Sequence, residues 1–281
     1  MARRRGNGRG TLQIMVGIIL ILCVASAALF APYLASHDPL HTDAGNWLRP
    51  PGGGHLFGTD RLGRDIFSRV LYGTRISLTV GIVAMFLSVS IGTTMGALAG
   101  YYGGFTDTVI MRITDLVMVF PSLFLVLSLV AIFDPALWLV VAVIGFTGWP
   151  GLARLVRGEM LRLREADFTA SARLVGASAP RIIVLHLLPN ALGPLLISAT
   201  LFVPAAIMTE AGLGYFGLGI QPPVPTLGNM LRDAQFYMRH AWWYAAFPGL
   251  FIFISVFAFH LLGEGLRSRF DVRSARRSNY A

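Results

Sequence analysis

Hydrophobic residues along the chain gather in six long runs, at 12–36, 76–106, 116–133, 135–153, 182–209 and 241–263, and polar residues fill the intervals. The first two runs contain no charged residue, and the others are nearly as clean. A helix needs about 20 apolar residues to cross a hydrocarbon core about 30 Å thick. The pattern therefore predicts an all-α membrane protein with six transmembrane helices.

The intervals divide the chain further. Residues 1–11 read as a basic tail and 12–36 as the first transmembrane helix. Arg3, Arg4, Arg5 and Arg9, with Ala25-Ser26-Ala27 beyond them, resemble a cleavable signal peptide. However, the apolar run continues through Leu34, past the roughly 7–15 residues of a signal core, so a retained helix is expected. The stretch 37–75 carries Pro39, Pro50, Pro51 and Gly52-Gly53-Gly54 and reads as a loop with a short amphipathic piece. In that piece Asp60, Arg64, Asp65 and Arg69 place opposite charges four residues apart, as on a surface-lying helix. Residues 76–265 form a five-helix core that includes loops 154–189 and 214–240, followed by a basic tail, 266–281. Asp134-Pro135 predicts a tight hairpin, and Pro194 and Pro204 predict a kinked fifth span.

Arg154, Arg157, Arg162, Arg164, Arg173 and Arg181 crowd the interval 153–182. Each arginine costs about 2.5–3.5 kcal/mol at a membrane helix centre, so this segment must lie outside the hydrocarbon. With six spans, both termini share its side. That side holds sixteen of the 23 cations: four in the N-terminal tail, one in 101–112, six in the loop and five in the C-terminal tail. Arginine excess marks it as cytoplasmic.

Composition sharpens this picture. The chain is 55% hydrophobic and 13% charged, against about 25% charge in soluble domains. Its net charge of +9 sits in flanks and loops, which argues against nucleic acid as a partner. Every cation is arginine, so a Walker A loop, which needs lysine, is excluded. Cys23 is the single cysteine, so no internal disulfide or CxxC site exists. His37 and His41, near Asp38 and Asp43, invite a metal reading, but Pro39 between them breaks any helical pairing, and they are read as loop histidines without a ligand role. Gly212, Gly214 and Gly217 match GxGxxG after a membrane helix instead of a strand, so no dinucleotide site is assigned. His260 and Glu264, one turn apart near the end of the last run, suit a proton relay or a packing pair.

The arginine-rich loop carries the most specific motif. Ala170-Ser171-Ala172-Arg173-Leu174-Val175-Gly176-Ala177, then Leu187-Leu188-Pro189-Asn190, has the spacing of two short helices meeting at a glycine. It resembles the Glu-Ala-Ala loop of membrane subunits of binding-protein-dependent ABC importers, with Ala170 where glutamate is usual. Residues 55–78 and 209–230 are similar to the corresponding stretches of the dipeptide and oligopeptide permease subfamily, C-type, with Gly214 and Leu227 where Ser and Trp are more usual. The resemblance covers about residues 12–273.

That resemblance implies a type I ABC importer permease (MetI-like) fold in the bacterial cytoplasmic membrane. It implies a non-catalytic subunit without a bound cofactor, partnered by a homologous second permease, two ATP-binding subunits carrying ATP and Mg2+, and an extracytoplasmic peptide-binding protein. Ala170, Ser171, Ala172, Arg173, Leu174, Gly176, Ala177, Leu188 and Pro189 are then the ATPase-coupling residues. Asp60, Arg64, Asp65, Gln221, Pro222 and Pro223 face the binding protein. Transport by alternating access would bring in dipeptides or oligopeptides; nickel, glutathione or another small solute is the alternative cargo. Readings from other classes are a proton-coupled secondary transporter using His260 or Glu264, and a non-transporting membrane anchor.

Overall fold

Residues 2–133 and 136–277 are described by a computed structural model in which eleven α-helices, and no β-sheet, occur among the described residues. They are α1 (Ala2–Leu29), α2 (Ala31–Leu34), α3 (Ile66–Tyr102), α4 (Gly104–Val119), α5 (Ser122–Ile132), α6 (Leu137–Arg164), α7 (Asp167–Leu174), α8 (Ala179–Ile182), α9 (Leu188–Tyr215), α10 (Leu227–Ala234) and α11 (Trp242–Arg277). The hairpin at Asp134-Pro135 lies outside the described residues. So do the side chains of the arginines at 3–9 and 273–277, although both tails are drawn into the ends of α1 and α11.

Among the described residues, five helical segments are long and apolar enough to span a bilayer by themselves. The remaining run, 116–133, is divided. Proline has no N–H and biases the residue before it toward an extended conformation. Phe120 accordingly has ψ 128° ahead of Pro121, ending α4 and starting the 11-residue α5. At 1.5 Å per residue α5 reaches only about 16 Å. Pro194 and Pro204 do not interrupt α9, and an unpredicted π-helical turn, Ile183–Leu187, joins α8 to it.

At 37 residues, α3 extends about 55 Å, far beyond the hydrocarbon thickness. It is the axis of the molecule. Gly92, Gly96 and Gly100 repeat every four residues along one face, and α6 packs directly on them. A Cβ at Gly92 would come 2.7 Å from Leu152 Cβ, and one at Gly100 would come 2.7 Å from the Arg157 carbonyl. Membrane helices gain no hydrophobic drive from meeting each other in lipid, so they associate through such close van der Waals seams. Gly81 meets Val203 and Ile207 of α9 in the same way, and Gly17 of α1 meets Ala258 and Leu262 of α11. Outward faces of α1 and α3 remain exposed at Met15, Ile19, Leu22 and Phe86, as expected of surfaces that meet lipid or another chain.

Candidate functional site

The arginine-bearing end of α6 stands beyond its apolar part and is braced by α4. Arg157 grips Asp107 bidentately at 2.5 and 2.6 Å, and Arg154 reaches Asp115 at 2.6 Å. Beyond that brace, α7 turns away and packs back on α6 through the buried Thr169, whose hydroxyl donates to the Leu163 carbonyl at 2.8 Å. Arg173 lies over the Tyr101 ring at the end of α3, 5.6 Å from its centroid. Short helices have little stability of their own, and these contacts hold α7 in place.

The motif glycine ends α7. Gly176 has φ +81°, the Ala177 N–H donates to the Ala172 carbonyl at 3.0 Å, and the Gly176 N–H donates to the Arg173 carbonyl at 2.9 Å. This is the Schellman arrangement, in which a left-handed residue lets the chain reverse while capping orphan carbonyls. The chain then enters α8, with Pro180 in its first turn. The expected helix–glycine–helix knob is thus present. Ala170, Ser171, Arg173, Leu174 and Gly176 lie on its exposed surface, and Ala172 and Ala177 tuck against the body. Leu188 and Pro189 belong to the first turn of α9, behind the knob. Phe168, Ser171, Val175, Arg181 and His186 border an open hollow of about 610 Å³ beside it.

At the opposite end of α3 the sequence reading requires correction. Asp60, Arg64 and Asp65 do not ride on a surface helix; residues 60–64 are a loop in which Asp60 and Arg64 are buried while Arg61 and Leu62 stay exposed, and α3 begins only at Ile66. Asp60 Oδ1 accepts from the backbone N–H groups of Leu62 (2.8 Å) and Arg64 (3.0 Å), a local closure that competes with helix formation. Gly63 (φ +73°) sits against the Asp43 carbonyl, where a side chain would have no room. Asp60 Oδ2 takes Arg64 Nε at 2.6 Å and lies 3.6 Å from Arg69 Nε, while Arg64 and Arg61 also approach Asp233 of α10 at 3.9 and 3.6 Å. Asp65 caps α3, its carboxylate accepting from the Ser68 N–H at 2.8 Å. These three residues are therefore not presented to a partner in this chain.

Removing one partner from a buried ion pair costs about 3–5 kcal/mol, because the other charge stays buried. Asp60→Asn is accordingly expected to lower stability by about that amount, and Asp233→Asn, in the half-exposed part of the network, by under about 1 kcal/mol. Thermal unfolding of the purified variants checks the ordering; equal losses would contradict it.

The loop between α9 and α10 lies at this same end. Gln221 folds inward, its Nε2 donating to the carbonyls of Gly217 (3.0 Å) and Gly219 (2.9 Å), while Pro222 and Pro223 remain exposed. The nearby glycines permit close backbone approach: a Cβ at Gly214 would meet the Asn229 nitrogen at 3.0 Å. Thr226 and Asn229 form a reciprocal capping box at the start of α10.

Two features escaped the sequence reading. Glu210 of α9 is fully buried and accepts from Ser77 Oγ of α3 at 2.6 Å, linking two long helices. Its signal was an acid at the edge of an apolar run. The other is Val175, 88% exposed at the knob's tip beside the expected Leu174, which is 89% exposed; together they make an apolar pair inside an arginine-rich segment. His260 and Glu264, by contrast, do not close on each other. Both are exposed, and Glu264 pairs with Arg267 at 2.8 Å.

Long apolar helices sealed by glycine seams, with a braced helical knob at one end, define a multi-pass membrane protein built to present that knob. The chain belongs to the family described as binding-protein-dependent transport system inner membrane component, which matches residues 92–273. It is 42% identical over 257 residues to the dipeptide transport system permease protein DppC of Alkalihalophilus pseudofirmus, covering 92% of this chain and 84% of that protein. It is 40% identical to DppC of Haemophilus influenzae, covering 94% and 91%. The oligopeptide transport system permease protein OppC of Bacillus subtilis is 39% identical, with 94% and 86% covered. Among solved structures, an inward-facing MetNI methionine ABC transporter chain superposes with a TM-score of 0.59 at 19% identity, covering 69% of this chain and 93% of that one. The ABC importer permease fold expected from the sequence is therefore the fold observed.

Proposed function

We propose that this chain is the permease subunit of an ATP-driven importer of dipeptides or oligopeptides, lining half of the pathway beside a homologous second permease. The α7–α8 knob receives the push of a cytoplasmic ATP-binding subunit. The observation that carries this reading is the exposed Leu174–Val175 tip on a braced, arginine-rich projection. A contiguous apolar tip in water is unfavourable unless a partner covers it. Its bracing by Arg157–Asp107 and Thr169–Leu163 suits the transmission of a rigid displacement to α6 and, through the glycine seam, to α3.

On this reading the knob and both termini are cytoplasmic, and the 36–65 and 216–240 segments are extracytoplasmic. There Pro222 and Pro223 offer the exposed surface toward a peptide-binding protein. ATP and Mg2+ act on the partner subunits, and this chain supplies a pathway and a lever without catalytic residues. Peptide is favoured over nickel, glutathione or another solute by the names carried by the relatives.

The deciding experiment reconstitutes the chain with its second permease and ATP-binding subunits in liposomes. Peptide accumulation is expected to require ATP and to stop with vanadate. Accumulation driven by a proton gradient without ATP would overturn the proposal in favour of a secondary transporter.

A further inference from the structure

Between α2 and the start of α3, three side chains from three separate segments converge. His55 Nδ1 lies 2.9 Å from Asp65 Oδ1, and His37 Nδ1 lies 3.8 Å from the same oxygen. The two imidazole rings are stacked, with centroids 4.6 Å apart. One donor atom from each residue falls within 4.8 Å of the other two. We propose that His37, His55 and Asp65 form a binding site for a divalent cation of the zinc class.

The donor set fits that class, because two imidazole nitrogens and a carboxylate oxygen suit Zn2+ and its borderline neighbours better than Ca2+ or Mg2+. The spacing fits as well. A tetrahedral centre with bonds of about 2.0–2.1 Å holds its donor atoms about 3.3 Å apart. The two measured separations from Asp65 Oδ1 bracket that value.

The site is also built from behind. Asp65 is fully buried at its side chain, and its other oxygen is held by the Ser68 N–H at 2.8 Å and the Ser68 hydroxyl at 2.7 Å. Oδ1 is thereby aimed at the two histidines. The backbone N–H of His37 donates to the same Ser68 hydroxyl oxygen at 3.1 Å, fixing where its imidazole emerges. Such outer partners orient ligands and tune their affinity.

Hydrogen bonding alone accounts for one histidine but not for both. At 3.8 Å, His37 is beyond hydrogen-bond reach of Asp65, yet the same ring nitrogen lies close to the same oxygen. A cation engages all three groups at once. His37 remains 41% exposed, which leaves an entry path and room for a water in the fourth position. Bound metal would tie the segment leaving α2 to the first turn of α3, at the end away from the knob. This inference does not depend on the transport reading.

The test uses the full chain, purified without a polyhistidine tag, stripped with chelator and retitrated with Zn2+ alone. About one equivalent is expected to bind tightly, and a hundredfold excess over Kd is expected to raise the unfolding temperature by about 5 °C. His37→Ala removes an exposed ligand and so spares the fold; it is expected to lose both the tight equivalent and the temperature shift. His41→Ala, on the same loop, is expected to keep both. Co2+ in place of Zn2+ is expected to give the visible absorption of a tetrahedral centre in the wild type and not in His37→Ala. An unchanged unfolding temperature in the wild type, or tight binding that survives His37→Ala, would overturn the assignment.

Discussion

Replacing Leu174 and Val175 together with glutamate is expected to abolish ATP-driven uptake while leaving the permease folded. Both side chains are almost wholly exposed, so substituting them removes little that holds this chain together. Surface changes of that kind usually shift stability by less than about 0.5 kcal/mol. If the tip is the anchor buried in an ATP-binding subunit, each position behaves as an interface hot spot worth about 2 kcal/mol or more. Losing one such anchor weakens the contact roughly thirtyfold, and burying two new carboxylates against an apolar pocket weakens it further. Uptake in liposomes and co-purification of the ATP-binding subunits should fall together, with the thermal unfolding of the isolated permease unmoved. Uptake at the wild-type rate in the double variant would rule out the tip as the coupling contact.

The second large effect is expected at the α3–α6 seam. Gly96→Leu would put a Cβ against the Ala153 carbonyl, 2.8 Å from Val156 Cβ and 3.0 Å from the Arg157 nitrogen. The first and last of these are backbone atoms and cannot rotate aside. Overpacking a well-filled core costs about 1–3 kcal/mol even when side chains can yield. Here the helices must separate, so a loss at or above the top of that range is expected, with greatly reduced recovery of folded protein. Gly158 lies on α6 itself, and no side chain or other packed element beyond its own helical turn and chain neighbours stands within 4 Å of its added Cβ. Gly158→Ala is therefore the control, expected to be neutral or stabilising by up to about 1 kcal/mol. Comparable losses from the two substitutions would show that helix glycine content, and not the seam, sets stability.

On the proposed reading, a displacement received at Leu174–Val175 would reach α6 through the Thr169–Leu163 bond and α3 through Gly92, Gly96 and Gly100. A seam of backbone against backbone has little compliance, which suits a lever.

The motifs that were legible in the sequence are local. The helix–glycine–helix knob follows from eight consecutive residues and the positive φ that Gly176 supplies, and the structure reproduces it. The Asp60–Arg69 piece failed as a surface helix for a reason that spacing cannot reveal. Charges four residues apart stabilise a helix only where the backbone is free to be one, and here Gly58, Gly63 and the Asp60 carboxylate had already committed it to a loop. The glycine seam was present as an i, i+4, i+8 repeat, but a repeat of small residues names no partner until α6 is seen against it. Along the chain His37 pairs with its neighbour His41, whereas in the fold it stacks on His55, eighteen residues away.

What the sequence determined by itself was the solvent, and which segment is kept out of it. Uninterrupted apolar length selects lipid, and the cost of burying arginine excludes the 153–182 segment from it. Only the tertiary structure decided which helices touch, that Asp60 and Arg64 are buried as a pair, that Glu210 meets Ser77 across 133 residues, and that Leu174 and Val175 are left uncovered. Hydropathy measures the transfer of one residue between solvents, whereas those features depend on where a distant residue of the same chain comes to rest.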